Sequence, residues 1–252
     1  WEGSSGAQLR ALWARVCGGA EAGPGAGLDA RPFAWGSAAL DDFGLAGEAP
    51  GLAVLSDELY DAVSSQEQPQ GVLCVFAMPS WSASSTPGAA AGSAVVVLDG
   101  VQQPNNLGVI LRTMEAFGAL SLVLMKGNVD LYNDKVVRGS MGAVVRGSVR
   151  VWEGIDVPEL RKLLEGHRVF AITSVPAGRE GRCLDAAGLA ERLSGRDAVI
   201  FGSEARGISP ELLALADACV RIPMAPGVDS LNVGVTHGII LHAIAAARNV
   251  GS

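Results

Sequence analysis

Polar residues that could serve one ligand site lie in three separate loops, each of which follows an apolar run typical of a strand. They are Asn106 and Arg112 in the first loop, Glu204 in the second, and Ser230 and Asn232 in the third. Amide, hydroxyl and carboxylate groups bind polar ligand atoms, and an arginine fork suits a phosphate. Because the carboxyl ends of parallel strands meet at one edge of a sheet, we expect these side chains to share a pocket there.

The first loop is DGVQQPNNLGVILRTMEAFGA, residues 99–119. Its Pro104 breaks the strand, and we expect Asn106 to cap a helix that carries Arg112 nearly two turns further on. An arginine between Leu111 and Thr113 is costly to bury unpaired, so Arg112 should meet a carboxylate, a phosphate or solvent. An exposed helical arginine after an asparagine cap is the plainer alternative.

The second and third loops also precede predicted helices. In VIFGSEARGISPELL, Gly202 permits close approach of a ligand to the backbone, and a proline after Ser209 favours a helix start. In RIPMAPGVDSLNVGVTHG, we expect Ser230 to open the last helix, where free backbone N–H groups can bind polar ligand atoms. A plain strand-turn-helix corner and a simple Ser230 N-cap are the alternatives.

Several other chemistries lack their sequence signals. Neither G-x-x-x-x-G-K-[ST] nor G-x-G-x-x-G occurs, which argues against triphosphate and dinucleotide sites. The cysteines lie far apart without nearby histidines, so we expect neither zinc nor a disulfide framework, but buried thiols in a reducing compartment. They are Cys17, Cys74, Cys183 and Cys219.

The charge pattern argues against general binding of polyanions but leaves one basic stretch. Net charge is −7 and the pI is about 5.0, so nucleic-acid binding must be local. Between residues 126 and 150 the acidic residues are Asp130 and Asp134 only. The basic residues there are Lys126, Lys135, Arg138, Arg146 and Arg150. We predict an RNA-facing surface in this stretch; a solvated helix face is the alternative.

The chain divides at a low-complexity tract. Residues 78–93, MPSWSASSTPGAAAGS, are typical of a linker, which predicts a small α/β domain over residues 1–77 and a larger domain over residues 94–252. No apolar run reaches the roughly 18 to 20 uncharged residues of a membrane span. WEGSSG lacks the pattern of a secretory signal, and because Trp1 opens the chain we expect the first domain to be incomplete or divergent.

Short apolar runs alternate with amphipathic segments after the linker, which predicts an α/β fold with a parallel sheet. Predicted strands cover residues 94–98, 120–125, 149–152, 169–173, 198–201 and 219–222. Predicted helices cover residues 107–117, 158–165, 210–216 and 230–247. In the first domain, residues 52–63 run from a strand into a helix capped by Ser56, and residues 71–77 form a buried strand.

Together the three loops resemble the SpoU (TrmH-like) family of the SPOUT superfamily of RNA 2′-O-ribose methyltransferases, over residues 94–248. The first motif, N-x-G-x-x-x-R, is formed by Asn106, Gly108 and Arg112. The second, G-x-E-x-x-G-[LI]-S, is formed by Gly202, Glu204, Gly207, Ile208 and Ser209. The third, I-P-M followed by S-L-N-V, covers residues 222–224 and 230–233.

The resemblance implies a trefoil-knotted C-terminal domain, an obligate homodimer and methyl transfer from S-adenosylmethionine to a ribose 2′-hydroxyl of structured RNA. It implies that main-chain atoms near Gly202, Ile222 and Leu231 hold the adenosine part, with Thr173 and Met224 lining the pocket beside Asn232. No metal is implied. The family assigns activation of the 2′-hydroxyl to Arg112, supported by Asn106, Glu204, Ser230 and Asn232. Because an arginine stays protonated, we expect it to clamp phosphate and stabilise the alkoxide.

The sequence departs from the family pattern at two positions, and two histidines need a role. Ala205 stands where a glycine often follows the glutamate, and Gly234 stands where a serine often follows Asn-Val. Either could alter loop conformation or weaken the cofactor site. We interpret His237 and His242 as packing or dimer-interface residues rather than ligands.

The resemblance leaves substrate alternatives open. We expect ribosomal RNA as the partner, with transfer RNA as the rival substrate and a non-catalytic RNA-binding or ribosome-assembly factor as the rival class. More weakly, SDELYDAVSSQEQPQGVLCVFAMP resembles the end of the small ribosomal-protein-like domain that often precedes this catalytic domain and binds RNA. The expected location is a bacterial cytoplasm or an organelle, without secretion.

Overall fold

The computed structural model describes residues 57–66, 73–74, 94–119, 121–173, 183–193, 195–228 and 230–249. The chain divides into two compact units, residues 1–75 and 76–252. In the first unit, helix α1 (Asp57–Val63) is present as predicted, with Asp57 and Glu58 in its first turn, where the helix dipole favours acids. Predictions for residues 1–56, including the Ser56 cap, and for the linker lie outside the described residues.

The predicted buried strand over residues 71–77 is not supported where it can be checked. Leu73 and Cys74, the described part of that range, are in no strand, and both are exposed. The expectation of buried thiols is also wrong for Cys183, which is half-buried in a two-residue strand at the sheet edge. An edge strand has a neighbour on one side only, so solvent still reaches it. Cys219 is buried as expected.

The second unit alternates strands and helices. In chain order its elements are β1 (Val95–Asp99), α2 (Pro104–Phe117), β2 (Ser121–Met125), α3 (Asp134–Gly139), α4 (Ala143–Arg146), β3 (Arg150–Ile155), α5 (Val157–Leu163), β4 (Arg168–Ile172), β5 (Cys183–Leu184), α6 (Ala186–Arg192), β6 (Asp197–Gly202), α7 (Pro210–Leu213), β7 (Ala218–Val220) and α8 (Val233–Asn249). The six apolar runs predicted as strands all form strands, which confirms the predicted α/β class.

The seven strands form one parallel sheet in the order β3-β2-β1-β6-β4-β7-β5. Strands β1 and β6 are third and fourth in this order, and Val95 and Asp99 of β1 pair in register with Ala198 and Gly202 of β6. The strand order reverses at this pair, because β2 and β3 follow on one side and the later strands on the other. In open α/β sheets, ligands bind beyond the carboxyl ends of strands at such a reversal.

Helices cover both faces of the sheet. Alternate residues of β1 point to opposite faces: Val96 and Leu98 join a core cluster with α2 and α8, and Val95 and Val97 join one with α5 and α7. All four side chains are fully buried. The three-layer packing holds the carboxyl end of the central strands in a fixed position.

Three short helices and one short strand were not predicted. Helices α3 and α4 have four to six residues, α6 begins at an Asp185 cap, and β5 has two residues. Elements this short lack the repeated turns or alternation that make a periodicity visible. Among the described residues, no helix is both long enough and apolar enough to cross a membrane.

His237 on α8 is fully buried against the Phe201 ring, with ring centroids 5.1 Å apart. Both of its ring nitrogens lack a hydrogen-bond partner among the described residues. Burial lowers the pKa of this imidazole to about 3, so it is neutral in the folded protein. The packing interpretation of His237 is confirmed, whereas His242 is exposed and lies edge-on to Phe117.

The buried imidazole predicts a loss of stability in acid. An unfolded histidine has a pKa near 6.5, so the unfolded chain binds one more proton than the folded chain between about pH 6.5 and 3. Unfolding free energy should fall by about 1.4 kcal/mol per pH unit from this group over that window. His237→Leu should remove this slope and His242→Leu should not, as urea unfolding at several pH values will measure. Equal slopes in all three proteins would contradict the assignment.

Candidate active site

The carboxyl ends of three adjacent strands, β6, β4 and β7, form one edge at which three of the predicted cofactor residues lie. Gly202 ends β6, Thr173 follows β4, and Ile222 follows β7 by two residues. The Thr173 N–H donates to the Val220 carbonyl at 3.0 Å, so the segment that leaves β4 stays paired with the end of β7. The structure therefore brings these three residues to the same side of the sheet.

A tight turn after β6 presents the second motif. Ser203 and Gly207 form an antiparallel bridge with two backbone hydrogen bonds of 3.2 and 2.9 Å, and Ser203 Oγ accepts from the Arg206 N–H at 3.2 Å. A Cβ on Gly202 would lie 2.1 Å from the Gly207 carbonyl carbon. The turn can close this tightly only because residue 202 has no side chain.

Three of the five predicted polar residues, one from each motif, form one hydrogen-bonded chain. Asn232 Nδ2 donates to Asn106 Oδ1 at 3.0 Å, and Asn106 Nδ2 donates to a carboxylate oxygen of Glu204. These residues are 126 and 98 positions apart in the sequence. We call this set the polar chain. Its existence confirms that the three loops meet, as the parallel-sheet argument predicted.

Two helix starts differ from the prediction. The N-cap of α2 is Gln103 with Pro104 in the first turn, so Asn106 lies inside the helix and is not its cap. Proline is well suited to the first turn because it has no N–H to satisfy there. The last helix begins at Val233, and Asn232 Oδ1 accepts from the Gly234 N–H at 2.9 Å, so Asn232 rather than Ser230 provides the cap.

Arg112 and Ser230 are not part of the polar chain. Arg112 is exposed on α2 and makes no hydrogen bond or ion pair to another described residue. Six residues place it roughly 240° around the helix from Asn106. Ser230 is exposed and likewise unbonded within the described ranges. The prediction that Asn106 and Arg112 share one pocket mouth therefore stays a prediction for Arg112, whose side chain is exposed.

This edge also carries three main-chain N–H groups that are candidates for ligand binding. The N–H groups of Ile222, Met224 and Leu231 donate to no other described residue. Ile222 and Leu231 are half-buried, and the Met224 residue is 37% exposed. Free amides between partly buried apolar side chains fit a planar heterocycle, because its edge needs hydrogen bonds and its faces need apolar contact.

Three of the four predicted RNA-binding cations have carboxylate partners in the structure. Lys126 pairs with Asp156 at 3.3 Å, Arg138 with Asp134 at 3.0 Å, and Arg146 with Glu115. Two of these carboxylates come from outside the 126–150 stretch, so a count of charges along the sequence missed them. Lys135 is exposed, and its ammonium has no partner among the described residues.

Sequence reasoning missed two polar residues at the site. Asp99 ends β1, and its carboxylate accepts from the Ser209 N–H at 2.6 Å, which fixes the start of α7. A polar residue at the end of an apolar strand was the available signal. Arg206 is exposed on the turn that carries Glu204, and its guanidinium has no partner in the described part of the chain. It lies inside the second motif and could have been tested as a cation.

The two departures from the family pattern have different surroundings. Ala205 is exposed at the tip of the turn. Gly234 is buried, and a Cβ there would lie 3.3 Å from Val109 Cγ1 and 3.2 Å from Asn232 Oδ1. A side chain at 234 would therefore press on α2 and on the helix cap.

Within the described residues, no cluster of three His, Cys, Asp or Glu side chains could hold a metal ion.

The chain is similar in sequence to proteins that are named as RNA methyltransferases. An uncharacterized tRNA/rRNA methyltransferase of Synechocystis sp. is 33% identical over 190 residues, 75% of this chain and 65% of that protein. The 23S rRNA (guanosine(2553)-2′-O)-methyltransferase RlmP of Bacillus subtilis is 30% identical over 194 residues. The match covers 75% of this chain and 70% of RlmP. The chain thus spans about two thirds of the length of these relatives.

A solved structure is similar as well. The AdoMet-bound rRNA methyltransferase from Sinorhizobium meliloti has 30% sequence identity to this chain and a TM-score of 0.55. The superposition covers 64% of this chain and 57% of the S. meliloti chain. The model of the SpoU rRNA Methylase family matches residues 93–242, which include every strand of the sheet and all members of the polar chain. The chain belongs to the SpoU rRNA Methylase family.

Proposed function

We propose that this protein transfers a methyl group from S-adenosylmethionine to a ribose 2′-hydroxyl of structured RNA, with ribosomal RNA as the substrate class. The observation that carries the proposal is the polar chain, which joins Glu204, Asn106 and Asn232 from three motifs at one sheet edge. The B. subtilis relative, named for 2′-O-methylation of 23S rRNA, and the AdoMet-bound S. meliloti structure support it.

The cofactor would lie at the carboxyl ends of β4, β6 and β7. The N–H groups of Ile222, Met224 and Leu231, which have no acceptor among the described residues, would hold the adenine edge. The turn after Gly202 and the region of Thr173 would complete the slot. The cofactor supplies a sulfonium methyl group that is already activated by its positive charge. The residues of this chain need only orient it and keep the acceptor oxygen close.

Arg112 and the polar chain would act on the RNA. The exposed Arg112 guanidinium would clamp the phosphate beside the target nucleotide and stabilise negative charge on the 2′-oxygen as its proton leaves to solvent. The polar chain would hold the motif-two turn against the start of α8, and Ser230 would add a hydroxyl at its margin. A non-catalytic factor has no physical need for such a network, which favours the enzyme over that alternative.

Binding of the cofactor tests the proposal first. Calorimetry with S-adenosylmethionine and with its demethylated product should show saturable binding to the folded wild-type protein. Asn232→Ala, which removes the α8 cap and the hydrogen bond to Asn106, should weaken binding, whereas Asn249→Ala at the far end of the same helix should not. Absence of detectable heat on a protein shown to be folded by circular dichroism would contradict the methyltransferase proposal.

Transfer RNA is the alternative substrate, because the name of the Synechocystis relative includes both RNA classes. Methylation of unmodified ribosomal and transfer RNA transcripts in parallel separates the two.

The proposal also includes a trefoil knot in the C-terminal domain and an RNA-binding role for residues 1–77, both supported by the family resemblance. The bacterial relatives support action in a bacterial cytoplasm.

A homodimer is part of the same proposal. Val109 on α2 and Val235 and Ile239 on α8 are 46%, 52% and 37% exposed, and the two helices touch at Gly234. Apolar side chains exposed in a row on packed helices suit an interface that buries well above roughly 1,000 Å² in total. Sedimentation should show a dimer at micromolar concentration. Ile239→Asp should shift it to monomer, and Ala187→Asp, at an exposed position of α6, should not. A monomeric wild type would contradict the proposal.

The RNA-facing role of the 126–150 stretch predicts a change in salt dependence. Lys135 has no partner among the described residues. The exposed Arg138–Asp134 pair contributes little to stability, so an RNA phosphate can compete for Arg138. Lys135→Gln and Arg138→Gln should each reduce the slope of log affinity against log salt by about 0.7–0.9 on a ribosomal RNA fragment. Lys162→Gln on the opposite face of the sheet is the control. An unchanged slope in both variants would contradict the RNA-facing role.

A further inference from the structure

The turn between α3 and α4 holds an exposed methionine in an unfavourable backbone conformation. Met141 has φ of +50° and is the one residue other than glycine with positive φ in the described part of the chain. The residue is 63% exposed. Bulky side chains rarely adopt this conformation, and it persists only when surrounding contacts determine it, which often happens at functional sites.

A cluster of polar side chains holds this turn. The Glu115 carboxylate accepts from Arg146 Nε at 2.8 Å, from Arg146 Nη2, and from Ser148 Oγ at 2.6 Å. The same Arg146 Nη2 donates to the Met141 carbonyl at 3.2 Å. These hydrogen bonds lower the pKa of Glu115 to about 2, so the carboxylate stays ionised at working pH. We call Glu115, Arg146 and Ser148 the brace.

The brace and a close backbone contact fix this segment to α2 at two positions that flank Arg112 along the helix. Gly139, just before the turn, lies against Gly108 of α2, where an added Cβ would be 2.8 Å from the Gly139 Cα. Glu115 anchors the other end of the segment. Gly108, Arg112 and Glu115 are four and three residues apart, so they share one face of the helix. The segment therefore meets α2 on both sides of Arg112, with the Met141 turn between the two contacts.

We propose that Met141 contacts the base of the nucleotide to be methylated and that the brace holds it there. The inference rests on the proposed function, in which Arg112 binds the phosphate and ribose of that nucleotide. A thioether is polarisable and packs well against an aromatic ring, and every nucleobase presents one. Met141 would position the nucleoside without selecting its identity. Arg146 then acts as a positioning residue rather than as a phosphate contact.

Three single variants test the proposal on an unmodified ribosomal RNA transcript that the wild-type protein methylates. Met141→Gly removes the side chain and suits the positive φ, so folding should be retained. Its KM for RNA should rise about tenfold while kcat changes less than about twofold and cofactor affinity stays unchanged. Met141→Leu, which keeps an apolar side chain, should recover most of the loss. Val145→Ala, an exposed apolar residue one turn further on, is the matched control.

Double substitution shows whether the brace acts through Met141. Glu115→Gln should raise the RNA KM in the same direction, and adding Met141→Gly to it should raise KM no further than the larger single effect. Wild-type KM in Met141→Gly, or additive effects in the double variant, would overturn the proposal. Dissociation of a dimer by Met141→Gly would also overturn it, because the side chain would then face a second subunit. Failure of the proposed function is distinct, since the wild-type protein itself would then transfer no methyl group.

Discussion

Arg112→Ala should reduce the single-turnover rate of RNA methylation by at least about 10²-fold, the usual scale for loss of one group that stabilises developing charge. The guanidinium is exposed on α2 and bonded to no described residue, so its removal costs the fold little. Melting temperature and cofactor affinity should therefore stay close to those of the wild type. A rapid-quench assay with labelled cofactor at saturating RNA measures the effect on the chemical step.

Two controls define the role of Arg112. Arg112→Lys keeps the charge but loses the planar fork, and it should retain only part of the activity if bidentate phosphate contact matters. Arg161→Ala, an exposed arginine on α5 on the other face of the sheet, should be active. If Arg112→Ala retains more than a small part of the wild-type rate, the arginine does not act on the reacting oxygen.

Gly202→Ala should weaken cofactor binding by about a hundredfold. Its Cβ would lie 2.1 and 2.3 Å from the carbonyl carbon and oxygen of Gly207 and 2.3 Å from the Ile208 nitrogen. All three are backbone atoms, so the turn must open rather than adjust a side chain. Overpacking costs roughly 1–3 kcal/mol or more, and 3 kcal/mol corresponds to about a hundredfold in affinity.

The matched control for Gly202→Ala lies in the same turn. Gly207 has φ of +66° but no atom within 4 Å of an added Cβ, so Gly207→Ala strains the backbone without a clash. That variant should lose only about 1–2 kcal/mol of stability and should still bind cofactor. Titration calorimetry and thermal unfolding separate the two effects. Equal cofactor affinity in Gly202→Ala and wild type would show that the turn is not part of the cofactor site.

The fold class and the meeting of the three motifs could be predicted from the sequence. Continuous apolar runs such as residues 94–98 and 198–201 have only one stable place in an α/β domain, the interior of a parallel sheet. The carboxyl ends of such strands share an edge, so residues as distant as Asn106 and Asn232 were expected to meet, and they do. The strand order could not be predicted, because it depends on packing between elements far apart in the chain.

Details that depend on three-dimensional neighbours were not predictable. Asn106 was expected to cap α2, but Pro104 takes the first turn and releases Asn106 to bond Glu204 and Asn232. Arg146 appeared to belong to a basic surface, yet Glu115 approaches it from another helix. The close contact of Gly108 with Gly139 gives no signal along the chain either, because each glycine alone is compatible with an ordinary turn or helix.

A labelled methyl group reports directly which atom of the RNA accepts it. Unmodified ribosomal RNA is incubated with the protein and with isotopically labelled S-adenosylmethionine, then digested to nucleosides and analysed by mass spectrometry, with Arg112→Ala as the inactive control. We expect the label in one 2′-O-methylated nucleoside species, and we expect Arg112→Ala to produce little of it. Label on a base, or no transfer to ribosomal or transfer RNA by a folded protein that binds the cofactor, would contradict it.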